Sequence, residues 1–96
     1  MDALINIGFG NMVSRSKIVA VISPDSAPSK RLVQRSREEG RTVDATLGRK
    51  TKSLIITSDG YLVLSALLPE TIAGRFNETI SSVSEKVKGK GEKEKR

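Results

Sequence analysis

Three uninterrupted apolar runs constrain this chain most: Ile18-Val19-Ala20-Val21-Ile22, Leu54-Ile55-Ile56 and Tyr61-Leu62-Val63-Leu64. Each is too short for a stable helix and rich in β-branched or large aliphatic side chains, so each reads as a strand. A strand with water on one face alternates apolar and polar residues; a strand that does not alternate is covered on both faces. Any sheet built from these runs therefore needs two covering layers. The material for them is limited, because only three of the 35 apolar residues (Ile80, Val83 and Val87) lie beyond residue 76 in a chain of 96. A body of about that size buries only about 60% of its unfolded-chain surface and is marginal alone.

The remaining elements follow from local signals. Leu4-Ile5-Asn6-Ile7 reads as a short first strand, broken by the turn Gly8-Phe9-Gly10-Asn11. Ser26 is a plausible N-cap, Pro28 sits in a first turn where its missing N–H is harmless, and Gly40 supplies a stop, so a helix is expected between them. Its apolar stripe is thin: Leu32, Val33 and Ser36. Thr42 to Leu47 alternates and reads as a half-buried strand, Ser53 to Thr57 as the next. Asp59-Gly60 suits a primed hairpin turn leading into the strand 61–64. A short helix from Pro69 to Arg75 closes the body, and residues 77–96, charged and nearly devoid of apolar side chains, read as a disordered tail. The expected fold is α+β: one small domain over residues 1–76, with a bent, mainly antiparallel sheet, one main helix and one short C-terminal helix. One thin helix and one short helix cannot cover both faces of such a sheet. A second sheet or a neighbouring subunit must, and self-association is expected.

Residue types that are missing exclude whole chemistries. The chain has no Cys and no His, so disulfides, thiolate metal sites, Ser-His-Asp hydrolysis and zinc hydrolysis are out of reach. No cofactor, no small-molecule substrate and no enzymatic activity are expected. No apolar run approaches the roughly 18 residues of a membrane span. The acidic start Met1-Asp2-Ala3 lacks the pattern of a signal peptide, so a cytoplasmic protein is expected. Three aromatics (Phe9, Tyr61 and Phe76), at least two of them expected in the core, are too few for the stacking platforms of a single-strand binder.

Charge points instead to duplex backbone. Lys and Arg number 17 against 11 Asp and Glu, a net charge of +6. Residues 29–52 hold eight basic side chains (Lys30, Arg31, Arg35, Arg37, Arg41, Arg49, Lys50 and Lys52) against three acidic ones, and such concentration favours an anionic partner. Within that stretch Arg49, Lys50 and Lys52 crowd a loop between two strands, which reads as a hairpin tip presenting cations to phosphate or to guanine edges. Arg15 and Lys17 alternate ahead of the strand at 18 and would share one side of an extended segment. Two nucleotide-loop readings fail. Gly8-Phe9-Gly10 lacks the third glycine at position 13, and Gly48-Arg49-Lys50-Thr51 lacks the upstream glycine of a P-loop and joins two strands. The carboxylates Asp25, Asp44, Asp59 and Glu70 show no spacing suited to acid–base work.

Several segments in order, Leu4-Ile5-Asn6-Ile7-Gly8-Phe9-Gly10-Asn11, Ser23-Pro24-Asp25-Ser26-Ala27-Pro28, Lys30-Arg31, Asp44-Ala45-Thr46, Gly48-Arg49-Lys50-Thr51 and Pro69-Glu70-Thr71-Ile72, give a chain that resembles the extracellular matrix regulatory protein A (RemA) family of bacteria over roughly residues 4–76. The resemblance implies a DNA-binding transcriptional activator of biofilm matrix genes, a ring-like homo-oligomer with duplex DNA following its outside, and a fold likened to LytTR-type DNA-binding domains. By position it implies DNA contacts at Lys17, Arg49, Lys50 and Lys52, with the Pro28 segment supporting assembly or placement. Where an arginine pair is common in the family this chain has Arg49-Lys50, and lysine cannot make the same bidentate fork. Together with the charge distribution, the candidate DNA-binding set is Arg15, Lys17, Lys30, Arg31, Arg49, Lys50 and Lys52. The alternatives are an architectural DNA-binding protein without sequence preference, and a scaffold for an acidic partner or RNA.

Overall fold

A computed structural model of the chain describes residues 3–88, with residues 79–88 described by their backbone alone. The order of elements is β1 (Leu4–Gly8), β2 (Asn11–Ser14), a 3₁₀ turn (Arg15–Lys17), β3 (Ile18–Ile22), α1 (Ala27–Glu38), β4 (Thr42–Asp44), β5 (Ser53–Thr57), β6 (Leu62–Ser65) and α2 (Pro69–Lys88). This is the expected small α+β body, but the single bent sheet is in fact two: a β1–β2 hairpin and a four-stranded sheet ordered β3-β5-β6-β4. In the larger sheet β4 runs parallel to β6, and the other pairs are antiparallel.

The continuous apolar runs are explained by alternation inside them. Ile55 and Val63 face one side with Ile5, Ile7, Ala45 and Ile72, so the hairpin and α2 cover that face. Leu54, Leu62 and Leu64 face the other, where Leu32 and Val33 of α1 pack on them. The subunit therefore covers its central strands itself. The second layer comes from β2, which the sequence reading passed over because Asn11-Met12-Val13-Ser14 has little strand propensity of its own. Its pairing is imposed by a two-residue loop between Gly8 and Asn11. Crossing ties lock the layers. The Ser65 hydroxyl donates to the Ile7 carbonyl at 2.7 Å, and Arg75 donates to the Asn6 carbonyl at 2.8 Å.

Helix α1 starts and stops as its sequence dictates. The Ser26 hydroxyl accepts from the Ser29 amide at 3.1 Å, with Pro28 in the first turn. At the other end Gly40 takes φ +68°, the Gly40 amide donates to the Arg37 carbonyl and the Arg41 amide to the Ser36 carbonyl, a Schellman closure. The thin stripe is real: Ser29 and Ser36 are buried, and the Ser36 and Thr42 hydroxyls meet at 2.6 Å. Helix α2 is longer than the seven residues expected and continues to Lys88, so residues 77–88 of the expected tail are helical backbone. Phe76, Ile80, Val83 and Val87 recur at helical spacing, and no Gly or Pro interrupts them. The rest of that tail, residues 89–96, lies outside the described residues.

Candidate nucleic-acid interface

The basic loop is set by a carboxylate. Asp44 ends β4 because its Oδ1 accepts from both the Thr46 hydroxyl, at 2.6 Å, and the Thr46 amide, at 2.9 Å, which turns the chain out of the sheet three residues earlier than alternation suggested. The Thr46 hydroxyl, then the Thr46 amide, hold the Asp44 carboxyl below its ordinary value; desolvation opposes them, and the field of Arg37 adds a lesser pull downward. Next comes a tight turn in which the Arg49 amide donates to the Thr46 carbonyl at 3.0 Å, with Leu47 at φ +52° and Gly48 at φ +79°. Two central residues with positive φ are the mark of a type I′ turn. The Lys52 amide then donates to the Ser65 carbonyl at 2.8 Å and returns the chain to β5.

Because β6 lies between β4 and β5, this segment is a crossover at the end of the sheet and not the hairpin tip expected from the sequence. Arg49, Lys50 and Lys52 are nonetheless all exposed on it. Half-buried Thr51 shares a cleft with Pro24, Lys30, Val33 and Arg37, so Lys30 joins the same end of the molecule. Arg37, which the sequence offers only as one more helix cation, belongs to this neighbourhood too. Arg31 is exposed on α1.

A second primed turn abuts the first. In the β1–β2 loop Phe9 has φ +54° and Gly10 φ +80°. The Asn6 Oδ1 accepts from the Gly8 amide at 2.8 Å, and the Asn11 side-chain amide donates to the Gly8 carbonyl at 3.0 Å. The Arg49 guanidinium lies over the Phe9 ring, 4.8 Å from its centroid. Among the described residues no carboxylate pairs with Arg49.

Arg15 and Lys17 lie elsewhere. Ile18 pairs with Thr57 and Ile22 with Leu54, so Lys17 sits at the opposite end of the sheet from Lys52. Four residue steps along β5 separate the two ends, about 13 Å. Nor do Arg15 and Lys17 share a side. They occupy a 3₁₀ turn of three residues per turn, where alternate residues diverge. Lys17 is exposed and pairs with Asp59 at 3.7 Å, while Arg15 stacks on Phe76 at 4.2 Å with its Nε buried and unpartnered. None of the three aromatic rings is fully buried. Phe9 and Tyr61 are exposed, and Phe76 is half-buried. Each carries an arginine, Arg41 on Tyr61 being the third at 5.7 Å. The nearby turn at Asp59-Gly60 is not primed: Gly60 alone is left-handed, and its amide donates to the Thr57 carbonyl at 3.1 Å. The described residues hold no cluster of acidic side chains that could bind a metal ion, and no helix among them is long and apolar enough to cross a membrane.

Phe9, Leu47 and Asp44 were not among the candidate site residues. The signal available for the first two was an X-Gly pair between strands. For Asp44 it was an Asp two residues ahead of a Thr.

The family model described as RemA-like, "Extracellular matrix regulatory protein A-like", matches residues 4–76. This chain belongs to the RemA-like family. Among its relatives it is 54% identical over 87 residues to a protein of Lachnoclostridium phytofermentans, covering 91% of this chain and 96% of that one. It is 57% identical over 74 residues to one from Alkaliphilus metalliredigens (77% and 80% covered), and 47% identical over 94 residues to one from Thermosipho africanus (95% and 100% covered). All three carry the name "Putative regulatory protein". The RemA-like chain is thus a member of a regulatory family, and that naming points away from an enzyme.

Proposed function

We propose that this RemA-like protein regulates transcription by binding duplex DNA as a homo-oligomer, with Arg49 reading base edges and Lys50, Lys52 and Lys30 contacting phosphate. The observation that carries this reading is the end of the molecule where Arg49, Lys50 and Lys52 stand exposed beside Lys30, and where Arg49 has no carboxylate partner among the described residues. A guanidinium with free N–H edges suits guanine O6 and N7; lysines suit phosphate as point charges. A role in regulating extracellular matrix genes is the specific form the family name suggests, and activation of biofilm matrix genes is the form the sequence resemblance implies.

Self-association rests on apolar side chains that the subunit leaves uncovered at two different sheet edges. Val19, the bulged residue of β3, is 65% exposed, and Val43 of β4 is 46% exposed. Joining two unlike edges head to tail is the geometry that closes rings.

The test is fluorescence anisotropy at stated salt, with a duplex from a genomic footprint and a random duplex of equal length. Arg49→Ala should remove the preference between the two. Lys50→Ala and Lys52→Ala should weaken both alike and reduce the log–log salt slope by about 0.9 per contact. Arg35→Ala, an exposed α1 cation near Gly60 and Tyr61, is the control. Equal affinity of the parent protein for both duplexes would support an architectural role instead. Weak binding to both would leave the scaffold reading. Light scattering should report a mass several times 10.4 kDa.

A further inference from the structure

Among the described residues only Phe9 and Leu47 are non-glycine residues with left-handed φ. Both stand at the first central position of a primed turn, where Asn, Asp or Gly is the easy choice and a large apolar side chain is strained. The Phe9 ring is 46% exposed and lies outside both core clusters, so packing does not explain why the strain is kept. What the ring touches is the Arg49 guanidinium, brought there from forty residues along the chain.

We propose that Phe9 is a positioning residue for Arg49, and that the strained turn is kept because it holds the guanidinium in its DNA-facing orientation. This rests on the DNA-binding reading above and deepens it. A guanidinium is planar, with its five N–H donors around the rim. Stacked by its face on a ring, it keeps every donor and its whole charge available to an incoming anion. A carboxylate partner would fix the side chain as well, but would occupy two donors and neutralise the charge. The ring also removes rotamer freedom from a long side chain before DNA arrives, which lowers the entropy lost on binding. Lys50, next in sequence, is exposed and lies over no aromatic ring, so its ammonium acts as a point charge.

The contact is read first without DNA. The chain has no Trp, so Phe9→Trp gives a single tryptophan that can be excited apart from Tyr61, and adding Arg49→Ala should shift its emission. An unchanged spectrum overturns the proposal. With DNA, Phe9→Leu keeps bulk and loses the π face. It should lower the preference for footprinted over random duplex about three- to tenfold, while Phe9→Tyr stays within about twofold of the parent. Phe9→Asn should raise the melting temperature and still lose selectivity, which no loss of structure would produce. Added to Arg49→Ala, Phe9→Leu should do nothing further. If Arg49→Ala removes selectivity but Phe9→Leu does not, or if the two losses add in full, the positioning role is wrong and the DNA reading survives. If Arg49→Ala itself leaves selectivity intact, it is the DNA reading that fails.

Discussion

The two ends of the sheet use the same pair of groups for opposite ends. At one, Arg49 lies over Phe9 on the surface, 4.8 Å from the centroid, with its donors open. At the other, Arg15 lies over Phe76 at 4.2 Å, sunk far enough that its Nε is buried without a partner. An arginine on a ring is thus neither a binding device nor a structural one by nature. Burial decides. An exposed stack fixes direction and leaves charge to be used; a sunken one contributes packing through the aliphatic stem and the guanidinium face. For the same reason half-buried Arg15 offers less of its guanidinium to a partner than the exposed cations do, although its charge looks the same in the sequence.

The largest effect that would break this contrast is on DNA. Arg49→Ala should weaken binding to a footprinted duplex about tenfold or more, since a guanidinium on guanine is worth about 1–3 kcal/mol. Its melting curve should superimpose on the parent's. A comparable loss of melting temperature would make the Phe9 end structural after all. Next comes Arg15→Ala, expected to destabilise by about 1–2 kcal/mol through the lost stack, measured by urea titration. Arg15→Met keeps the packing and removes the orphan Nε, so it should be close to neutral. Smaller again is Leu47→Asn, which suits the primed turn and should stabilise by about 1 kcal/mol, or about 4–8 °C in a domain of this size. No gain would mean that Leu47, 71% exposed, is already relieved by a contact with another chain. The smallest effect is acid. The Asp44 carboxyl is held low by the Thr46 hydroxyl and amide, so its contribution is complete above the ordinary carboxylate range and is lost as pH falls below about 4. Asp44→Asn should flatten that part of the stability–pH curve, and an unaltered curve would show that the turn does not depend on the charge.

Much of the fold is legible in the sequence because its signals are local. Ser26, Pro28 and Gly40 fix α1 through bonds made within a few residues of each, and the structure shows those bonds. The basic loop at 49–52 is likewise visible as a charge cluster. What escaped is decided between distant residues. β2 has weak propensity and exists because β1 pairs with it over Phe9-Gly10. Arg15 and Lys17 looked coplanar until a 3₁₀ turn separated them. The Asp-Gly pair at 59–60 promised a primed turn, while the primed turns fell on Phe9-Gly10 and Leu47-Gly48, against propensity. The Phe9–Arg49 contact could not be inferred from either segment alone.

The ties from Ile7 to Ser65 and from Asn6 to Arg75 carry one further consequence. The β1–β2 hairpin leaves a ribosome before the elements that cover it: Ile55 and Val63 follow well behind, and Ile72 later still. Its apolar face, Ile5 and Ile7, stays open until they emerge, because closing a loop of that span must wait for both of its ends. β5 and β6, joined by a short local turn, can form as soon as they emerge. Synthesis order and closure order therefore run against each other in this protein. The interval in which newborn copies can meet through the uncovered hairpin is set by how quickly α2 is made.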